Sequence, residues 1–303
     1  MTRRTRVLLV GCGDIALRVA RRLSPRFVLY GLARSEAQAA ALRAAGVRPV
    51  RGDLDDRHSL VRLRLAPQVL FHFAPPPSEG EGDPRTRRLL AALGQGWRFP
   101  PQMVYISTSG VYGDRQGAWV SEASPQQPQS PRARRRVAAE RALRQTGRSQ
   151  RSHLAILRAP GIYAEDRLPL ERLRAGTPVL FAEEDSYTNH VHAEDLARAA
   201  LAAARLGRGG RAYNVVDDAS WRMGEWFDRL ADACELPRPP RISRAAAKVR
   251  LTAIQWSFMG ESRRLKNARL KRELRFRLAY PTPATLLESI APGRTSVQGR
   301  FLR

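Results

Sequence analysis

Short apolar runs alternate with longer segments rich in Ala, Leu and Arg along the first half of the chain. Most of these runs, such as Val7–Val10, lack polar alternation, as expected of strands covered on both faces. The segments between them have the spacing of amphipathic helices. The alternation predicts an α/β fold with a doubly wound parallel sheet. The predicted strands are Val7–Val10, Phe27–Leu32, Val47–Val50, Val69–Phe73, Met103–Ser107 and Leu154–Leu157, and the predicted helices are Ile15–Leu23, Glu36–Ala45, Arg57–Leu63, Thr86–Leu93 and Ala133–Gln145.

The second half of the chain is less regular and is interrupted by prolines at positions 237, 239, 240, 281 and 283. We predict that residues 1–165, with a return strand within 190–216, form the sheet domain. Residues 166–189 and 217–303 are predicted to form a smaller, mostly helical C-terminal lobe. A chain of 303 residues buries enough surface to fold without disulfides. The only cysteines, Cys12 and Cys234, exclude a disulfide framework and a Cys-rich zinc site.

The net charge of +25 is first of all a possible sign of nucleic-acid binding. However, the basic residues are spread from Arg3 to Arg303, and all 53 are arginines except Lys248, Lys266 and Lys271. This distribution favours incidental basicity, with attraction of anionic cofactors as a further explanation. We therefore expect no specific nucleic-acid partner.

No segment of the sequence resembles a membrane anchor. The basic residues 1–6 are followed by a run that is too short and polar for a secretory signal. No stretch of about 18 apolar residues follows later. Together with the two cysteines, these features favour a reducing compartment, and we expect a cytoplasmic protein without membrane contact.

The first predicted strand leads into the turn Gly11-Cys12-Gly13-Asp14-Ile15-Ala16. In a G-x-G-x-x-A turn the first glycine permits a sharp bend and the second permits close approach of a pyrophosphate. The small third residue, here Ala16, lets helix and strand pack closely. Free amides around Asp14 and Ile15 would hold the pyrophosphate at the positive end of the helix. Because the turn joins a strand to an amphipathic helix, it predicts Rossmann-type dinucleotide binding rather than a simple tight turn.

The end of the second strand indicates which dinucleotide is bound. NAD-binding proteins place an acid there for the ribose 2′-hydroxyl, but the segment 30–35 contains no acid and does contain Arg34. A guanidinium suits a 2′-phosphate. We therefore predict NADP as the cofactor, with NAD possible if Arg34 is only one of many arginines.

Two further strand ends are predicted to line the cofactor channel. Asp53 and Leu54 follow the third strand, where Asp53 could either accept from the adenine amino group or cap the next helix. Ala74 and Pro75 follow the fourth strand. Small residues are needed at that point because the dinucleotide would run close to the backbone.

The fifth strand ends in Ser107-Thr108-Ser109-Gly110-Val111-Tyr112-Gly113-Asp114. Together with the glycine turn, this segment resembles the extended short-chain dehydrogenase/reductase group of the NAD-dependent epimerase/dehydratase superfamily. The resemblance continues through segments 157–163, 189–196, 213–215 and 262–267. It implies a Rossmann-type sheet, a C-terminal lobe that binds substrate, and a monomer or homodimer. It also implies hydride transfer between a nicotinamide and the hydroxyl or carbonyl carbon of a small molecule, with Thr108 as the active hydroxyl and Ile162 at the cofactor.

The sequence departs from this group at the Tyr-x-x-x-Lys pair. If Glu140 sets the register, Arg132 stands at the tyrosine position and Arg136 at the lysine position. Arg136 could still hold the nicotinamide ribose. Arg132 cannot act as a general base near neutral pH, although it could stabilise an alkoxide or bind an anionic substrate. The four-residue spacing is also typical of an exposed ion-paired helix face.

Other residues could contact the substrate or exchange a proton with it. Tyr112, Tyr163, His190 and His192 are the candidates, and a histidine would be the natural replacement for the missing tyrosine. His72 is expected to be a core residue. Cys12 lies at a helix start, where the pKa of its thiol could fall, although an unconstrained position within the motif is favoured. No residues have the spacing of metal ligands, so no metal is predicted.

Three hypotheses about function therefore remain. The first is an NADP-dependent oxidoreductase or epimerase with an altered active site. In that enzyme Thr108 would bond the reacting oxygen and an unidentified acid or base would complete the site. The second is a sensor or scaffold that binds NADP without turnover. The third is a nucleic-acid binder, which only salt-dependent retention on DNA would support.

Overall fold

A seven-stranded parallel sheet forms the centre of the protein, in a computed structural model that describes residues 4–63, 65–95 and 98–291. The strands are β1 (Thr5–Val10), β2 (Phe27–Ala33), β3 (Arg48–Arg51), β4 (Val69–His72), β5 (Gln102–Thr108), β6 (Trp119–Val120), β7 (His153–Ala159), β8 (Gly161–Tyr163), β9 (Val179–Leu180), β10 (His190–His192), β11 (Arg211–Asn214), β12 (Arg241–Ile242) and β13 (Arg264–Leu265). Their order in the large sheet is β3-β2-β1-β4-β5-β7-β11. The order reverses between β1 and β4, which is the doubly wound arrangement that the sequence predicts.

Helices cover both faces of this sheet. They are α1 (Asp14–Arg22), α2 (Glu36–Ala44), α3 (Pro84–Gly94), α4 (Pro131–Ser149), α5 (Leu170–Arg174), α6 (Ala193–Leu206), α7 (Met223–Ala233), α8 (Arg244–Arg250), α9 (Ala253–Met259), α10 (Ala268–Glu273) and α11 (Ala284–Ile290). Val7 and Leu9 of β1 belong to one apolar cluster with α1, α2 and α6. Leu8 and Val10 belong to another with α3 and α4. Successive residues of a strand point to opposite faces, so the continuous apolar run serves both layers.

The predicted helix Arg57–Leu63 is instead a 3₁₀ helix over His58–Leu63. The Ser59 hydroxyl donates to the carbonyl groups of Asp53 and Asp56, and it also accepts from the amide of Asp53. These bonds hold a tight turn directly before the segment. A short segment held in this way takes i→i+3 bonds rather than an α-helix.

A third apolar cluster lies outside the sheet and is formed by β9, α7 and residues of α9 and α11. It includes Trp226, Phe227 and Leu286. However, Leu270 and Phe276 belong to the sheet cluster, so part of the segment 217–303 packs on the sheet domain. The domain boundaries stay a prediction, and residues 292–303 lie outside the described part. Within the described ranges, no helix is long and apolar enough to cross a bilayer.

Candidate functional site

The turn between β1 and α1 lies at the carboxyl edge of the sheet. Gly11 has a φ of +85°, and a Cβ built there would lie 2.2 Å from the Ala74 amide nitrogen. Only glycine fits this position, because both the backbone angle and the space exclude a side chain. A Cβ at Gly13, by contrast, would meet nothing within 4 Å. The start of α1 therefore faces open space that a ligand can occupy.

That open space belongs to a groove of about 340 Å³ along the ends of β1, β2, β3 and β4. It contains the predicted residues Gly11, Gly13, Arg34, Asp53, Leu54, Ala74 and Pro75. Sequence reasoning missed Leu32, Gln38, Gly52, Phe73 and Arg85, which also line it. Gln38 could have been found from its position, because it lies one helical turn after Arg34. Arg85 lies in α3, and no local sequence pattern indicates that it reaches the groove.

Three predicted cofactor residues contribute no side chain to this groove. Ile15 and Ala16 are buried against the sheet, as the packing role of Ala16 requires. The carboxylate of Asp14 accepts from Arg18 at 2.8 Å and from Arg167 at 3.1 Å. This leaves the roles that the sequence predicts, which are backbone amides at Asp14 and Ile15 and close packing at Ala16.

Arg34 is exposed at one end of the groove. Its backbone amide donates to Oε1 of Gln38 at 3.1 Å, while its guanidinium has no hydrogen-bond partner among the described residues. Arg34 also lines an adjoining cavity of about 330 Å³ with Arg51 and His58. This end of the groove therefore offers the Arg34 guanidinium, which is available to bind an anion.

Asp53 and Asp55 stabilise the loop after β3. The Asp53 carboxylate accepts from the Asp55 amide at 3.0 Å, which is a turn within the loop. The first amide of the following helix, at His58, donates to Asp56 instead, so neither role proposed for Asp53 is decided. Asp55 in turn accepts from Arg85 at 2.8 Å, and Arg85 holds its pKa below the usual range. Arg85 also donates to the Pro75 carbonyl at 3.3 Å. One arginine thus joins the two loops that form the groove wall.

Cys12 is a structural residue. Its Sγ donates to the Leu9 carbonyl at 3.4 Å, and burial raises the pKa of the thiol to about 12. Desolvation outweighs any effect of the helix start. The thiol is therefore protonated near neutral pH, which disfavours a reactive Cys12.

A second cavity, of about 380 Å³, lies beyond the ends of β5 and β7. It brings together the predicted residues Thr108, Arg132, Arg136, Ile162, Tyr163 and His190. These residues come from β5, α4, β8 and β10, so only the fold places them side by side. The cavity and the groove share the carboxyl edge of one parallel sheet, where ligands of open α/β folds bind.

The α4 side chains of this cavity are not part of an exposed ion-paired face. Glu140 is 1% exposed and pairs with Arg158, with Nη2 and Oε2 2.8 Å apart. Arg136 donates from Nη1 to the Ile106 carbonyl at 2.7 Å and to the Tyr105 hydroxyl at 2.9 Å. Arg132 lies 4.5 Å above the Phe258 ring. Both arginines thus point to the end of the sheet, and the alternative of a solvated ion-paired face is wrong.

Two residues predicted to contact substrate are structural. Tyr112 is fully buried; its hydroxyl donates to Asn214 at 2.7 Å and accepts from Arg158 at 2.9 Å. His192 is also buried, and its Nδ1 accepts from the amide of Glu194 at the start of α6. Neither residue lines the cavity. Their assignment to substrate is corrected, because both lie outside the cavity. Partners far along the sequence occupy the Tyr112 hydroxyl, and His192 caps its own helix.

Tyr163 and His190 do line the cavity. The Tyr163 hydroxyl is buried without a hydrogen-bond partner among the described residues, and burial raises its pKa well above the ordinary value. Burial lowers the pKa of His190 to about 3. Near neutral pH the tyrosine keeps its proton and the imidazole is uncharged.

His72 is a core residue, as expected. Its Nε2 shares a 2.8 Å hydrogen bond with the Thr86 hydroxyl, and burial lowers its pKa to about 3. In the described part of the chain, no three His, Cys, Asp or Glu residues are grouped as metal ligands would be.

A parallel sheet in this order, with a glycine turn and a cavity at one edge, defines a Rossmann-type fold. The family model for the NAD dependent epimerase/dehydratase family matches residues 13–216. The chain belongs to this family.

Solved structures agree with this assignment. A conserved protein of unknown function from Silicibacter pomeroyi is 30% identical, with a TM-score of 0.77 over 94% of this chain and 98% of that one. A dTDP-glucose 4,6-dehydratase from Streptomyces venezuelae, bound to NAD, is 21% identical, with a TM-score of 0.75 and coverages of 94% and 96%. A UDP-glucuronic acid 4-epimerase from Bacillus cereus in complex with NAD is 17% identical, with a TM-score of 0.74 and the same coverages. The last two show the fold alone. No curated protein matches this chain.

Proposed function

We propose that the protein binds a nicotinamide dinucleotide along the groove and uses it to oxidise or reduce a small molecule in the cavity. The observation that carries this proposal is the open space at Gly13, where a Cβ would meet nothing within 4 Å at the start of α1. A pyrophosphate fits there because helix-start amides have no partner within the helix. The NAD-bound dehydratase and epimerase of the same fold support the proposal.

NADP is proposed in preference to NAD. The guanidinium of Arg34 is free, and Arg51 and His58 line the adjoining cavity. The two guanidinium groups would hold a 2′-phosphate, which a fork of charged donors binds well. At the other end, Ile162 and Arg136 would hold the nicotinamide and its ribose. The bound cofactor would supply or accept the hydride.

Thr108 and the two arginines would act on the oxygen of the substrate. The Thr108 hydroxyl accepts from the Gly110 amide at 3.2 Å, so its own proton is free to bond that oxygen. Arg136 is held by the Ile106 carbonyl, which fixes its charge at the end of β5. Negative charge on the oxygen would be stabilised by Arg136 and Arg132, as in other preorganised electrostatic sites.

The proton would come from a residue other than the usual tyrosine, since arginine does not release one near neutrality. Tyr163 is the proposed donor. Tyr163 lines the cavity and keeps its proton, and its hydroxyl is buried without a partner among the described residues. His190 is uncharged near neutrality because burial lowers its pKa to about 3, so it would serve as a hydrogen-bond partner rather than an acid.

The test is a titration with NADPH and NADH, followed by protein fluorescence. The wild type is expected to bind NADPH more tightly. The substitution Arg34→Asp should weaken NADPH binding by about tenfold or more, the usual scale of a charge-assisted contact of about 1.5–3 kcal/mol, and leave NADH binding nearly unchanged. Arg26→Asp makes the same change at an exposed residue before β2, at the opposite edge of the sheet, and is the matched control. Equal losses for both nucleotides would contradict the NADP assignment.

A second candidate function is an NADP-binding sensor without turnover. Burial lowers the pKa of His190 and raises that of Tyr163, so both move away from neutral pH. Neither group then exchanges a proton readily, which favours binding without turnover. Assays of NADPH oxidation with carbonyl compounds distinguish the two. Turnover by the wild type eliminates the sensor, whereas turnover only after Arg132→Tyr with Arg136→Lys supports it.

A further inference from the structure

The cavity beyond β5 is lined by more positive than negative side chains. Its described lining includes a single carboxylate, Glu261, and five arginines, which are Arg132, Arg136, Arg167, Arg172 and Arg263. Glu261 already accepts from Nη1 of Arg263 at 2.6 Å. Arg167 is likewise paired with Asp14 outside the cavity. The remaining arginines leave a surplus of positive charge facing the cavity.

Several donors around this cavity have no acceptor in the described chain. Nε of Arg172, Nε of Arg263 and the hydroxyl of Tyr163 are buried without a hydrogen-bond partner. Buried donors are nearly always paired in folded proteins. These three atoms are covered by protein and do not themselves face the cavity. They show that the protein around the cavity holds more hydrogen-bond donors than acceptors.

Arg172 shows this lack of acceptors most clearly. Its guanidinium forms no ion pair with a described carboxylate; it donates to the Met259 sulfur at 3.0 Å and lies 4.3 Å from the Phe227 ring centre. Burial lowers its pKa. A sulfur atom and a ring face are weak substitutes for an anion.

Arg132 is the most accessible cation of the group. It is exposed, and its described contact is the face of Phe258 at 4.5 Å. An aromatic face orients a guanidinium but does not occupy its five donors. Arg132 can therefore bind an incoming anion without first breaking an ion pair.

Apolar side chains also line the cavity. Met223, Trp226 and Phe227 are among them, and all three are buried. The His190 ring lies 4.6 Å from the Trp226 ring and is tilted by 40° to it. A ligand that fills the cavity would thus meet ring faces as well as cations.

We propose that the cavity selects an anionic substrate, with a carboxylate or phosphate group held by Arg132 and Arg172 and a planar apolar body against Trp226. This inference rests on the proposed function only in placing the cofactor beside the substrate. The volume of about 380 Å³ lies at the small end of ligand pockets, so the ligand is a small anion.

The test measures binding by calorimetry at saturating NADPH, with phenyl phosphate, benzoate and the neutral benzyl alcohol as probes. At least one anion is expected to bind tenfold or more tightly than benzyl alcohol. Arg132→Gln should weaken that anion by about tenfold, while Arg132→Lys should recover part of the loss. Arg134→Gln is the matched control, because Arg134 is an exposed arginine on the same helix that does not line the cavity. Melting temperatures verify that all variants fold.

The two anions identify the acidic group that the cavity binds. Tighter binding of phenyl phosphate indicates a phosphate on the substrate, and tighter binding of benzoate indicates a carboxylate. Equal affinity for benzyl alcohol, or an equal effect of Arg134→Gln, overturns the inference. So does loss of anion binding as NADPH is added, because the anion would then occupy the dinucleotide groove. If NADPH fails to bind but anion binding still depends on Arg132, the proposed function falls and this inference stands.

Discussion

Gly11 and Gly13 lie two residues apart, yet a methyl group at each would meet different surroundings. At Gly11 it would collide with the Ala74 backbone at 2.2 Å in a left-handed conformation. At Gly13 the φ of −87° suits any residue, and the space is open. One glycine is therefore needed by the fold, and the other leaves room for a ligand.

Substitution of each glycine by alanine separates these requirements. Gly11→Ala should lower the free energy of unfolding by about 2 kcal/mol or more through strain. Gly13→Ala should keep the wild-type stability but weaken NADPH about tenfold, because the methyl group would fill the pyrophosphate position. Gly94→Ala, where a Cβ also meets nothing within 4 Å at the end of α3, is the control. Denaturant unfolding and NADPH titration give the two readouts; full affinity in Gly13→Ala would contradict the site.

Glu140 and Arg158 form an ion pair in the interior. Both Glu140 oxygens accept from Arg158, at 3.1 and 2.8 Å, and Gln126 donates to the same carboxylate at 2.7 Å. This pair joins α4 to β7 beneath the cavity. Burying the two charges costs desolvation energy, which their mutual attraction offsets. Removal of one partner therefore leaves a buried charge without compensation.

Glu140→Ala should destabilise the protein by about 3–5 kcal/mol, the range for breaking a buried pair. The control is Glu171→Ala. Glu171 pairs with Arg174 at 2.5 Å, but the Glu171 side chain is 88% exposed. Such a surface pair contributes less than about 1 kcal/mol. Equilibrium unfolding in urea measures both. Similar small losses in the two variants would contradict a structural role for the buried pair.

At the scale of elements, α4 carries two of the arginines of the cavity, Arg132 and Arg136. The sequence predicted a helix over Ala133–Gln145, and the structure has one over Pro131–Ser149. Pro131 occupies the first turn, and the Ser130 hydroxyl accepts from the Ala133 amide at 3.2 Å. A cap at this point fixes the start of the helix one turn before Arg136.

Ser130→Ala should therefore cost about 1 kcal/mol of stability and weaken the affinity of the cavity for anions. Ser130→Asn keeps a side-chain acceptor and should retain most of both. Thermal unfolding and anion titration test this prediction. Equal behaviour of the two variants would show that the cap does not position α4.

Local patterns predicted the elements better than the partners of their side chains. The apolar runs predicted the sheet, and the glycine turn and the end of the second strand predicted the groove with Arg34. Each of these features is encoded within a few consecutive residues. Arg85 was missed, and Tyr112 and His192 were misassigned. Tyr112 forms hydrogen bonds with Asn214 and Arg158, which are 102 and 46 residues away along the chain. No local sequence pattern indicates contacts between residues so far apart.

At the scale of the whole molecule, buried histidines connect folding to pH. Burial lowers the pKa of His72 and that of His190 to about 3, against about 6.5 in an unfolded chain. As the pH falls below 6.5, the unfolded state takes up protons that the folded state does not, so stability is lost. Asp217 has the opposite effect, because burial raises its pKa, and its contribution to stability increases as the pH falls.

His72→Gln isolates one of these contributions. Between pH 7 and pH 5 the wild type should lose about 2 kcal/mol more than this variant, the linkage expected for one such histidine. His58→Gln changes an exposed histidine and should keep the wild-type slope. Urea unfolding at pH 7, 6 and 5 gives the slopes. The same slope in all three proteins would contradict a buried, uncharged His72.

A crystal structure of the protein with NADPH tests the central claim most directly. The account predicts the pyrophosphate against the amides at the start of α1, next to Gly13. It also predicts the 2′-phosphate at Arg34 and the nicotinamide facing Thr108. An empty groove at saturating NADPH, or the nucleotide bound elsewhere on the arginine-rich surface, would contradict it.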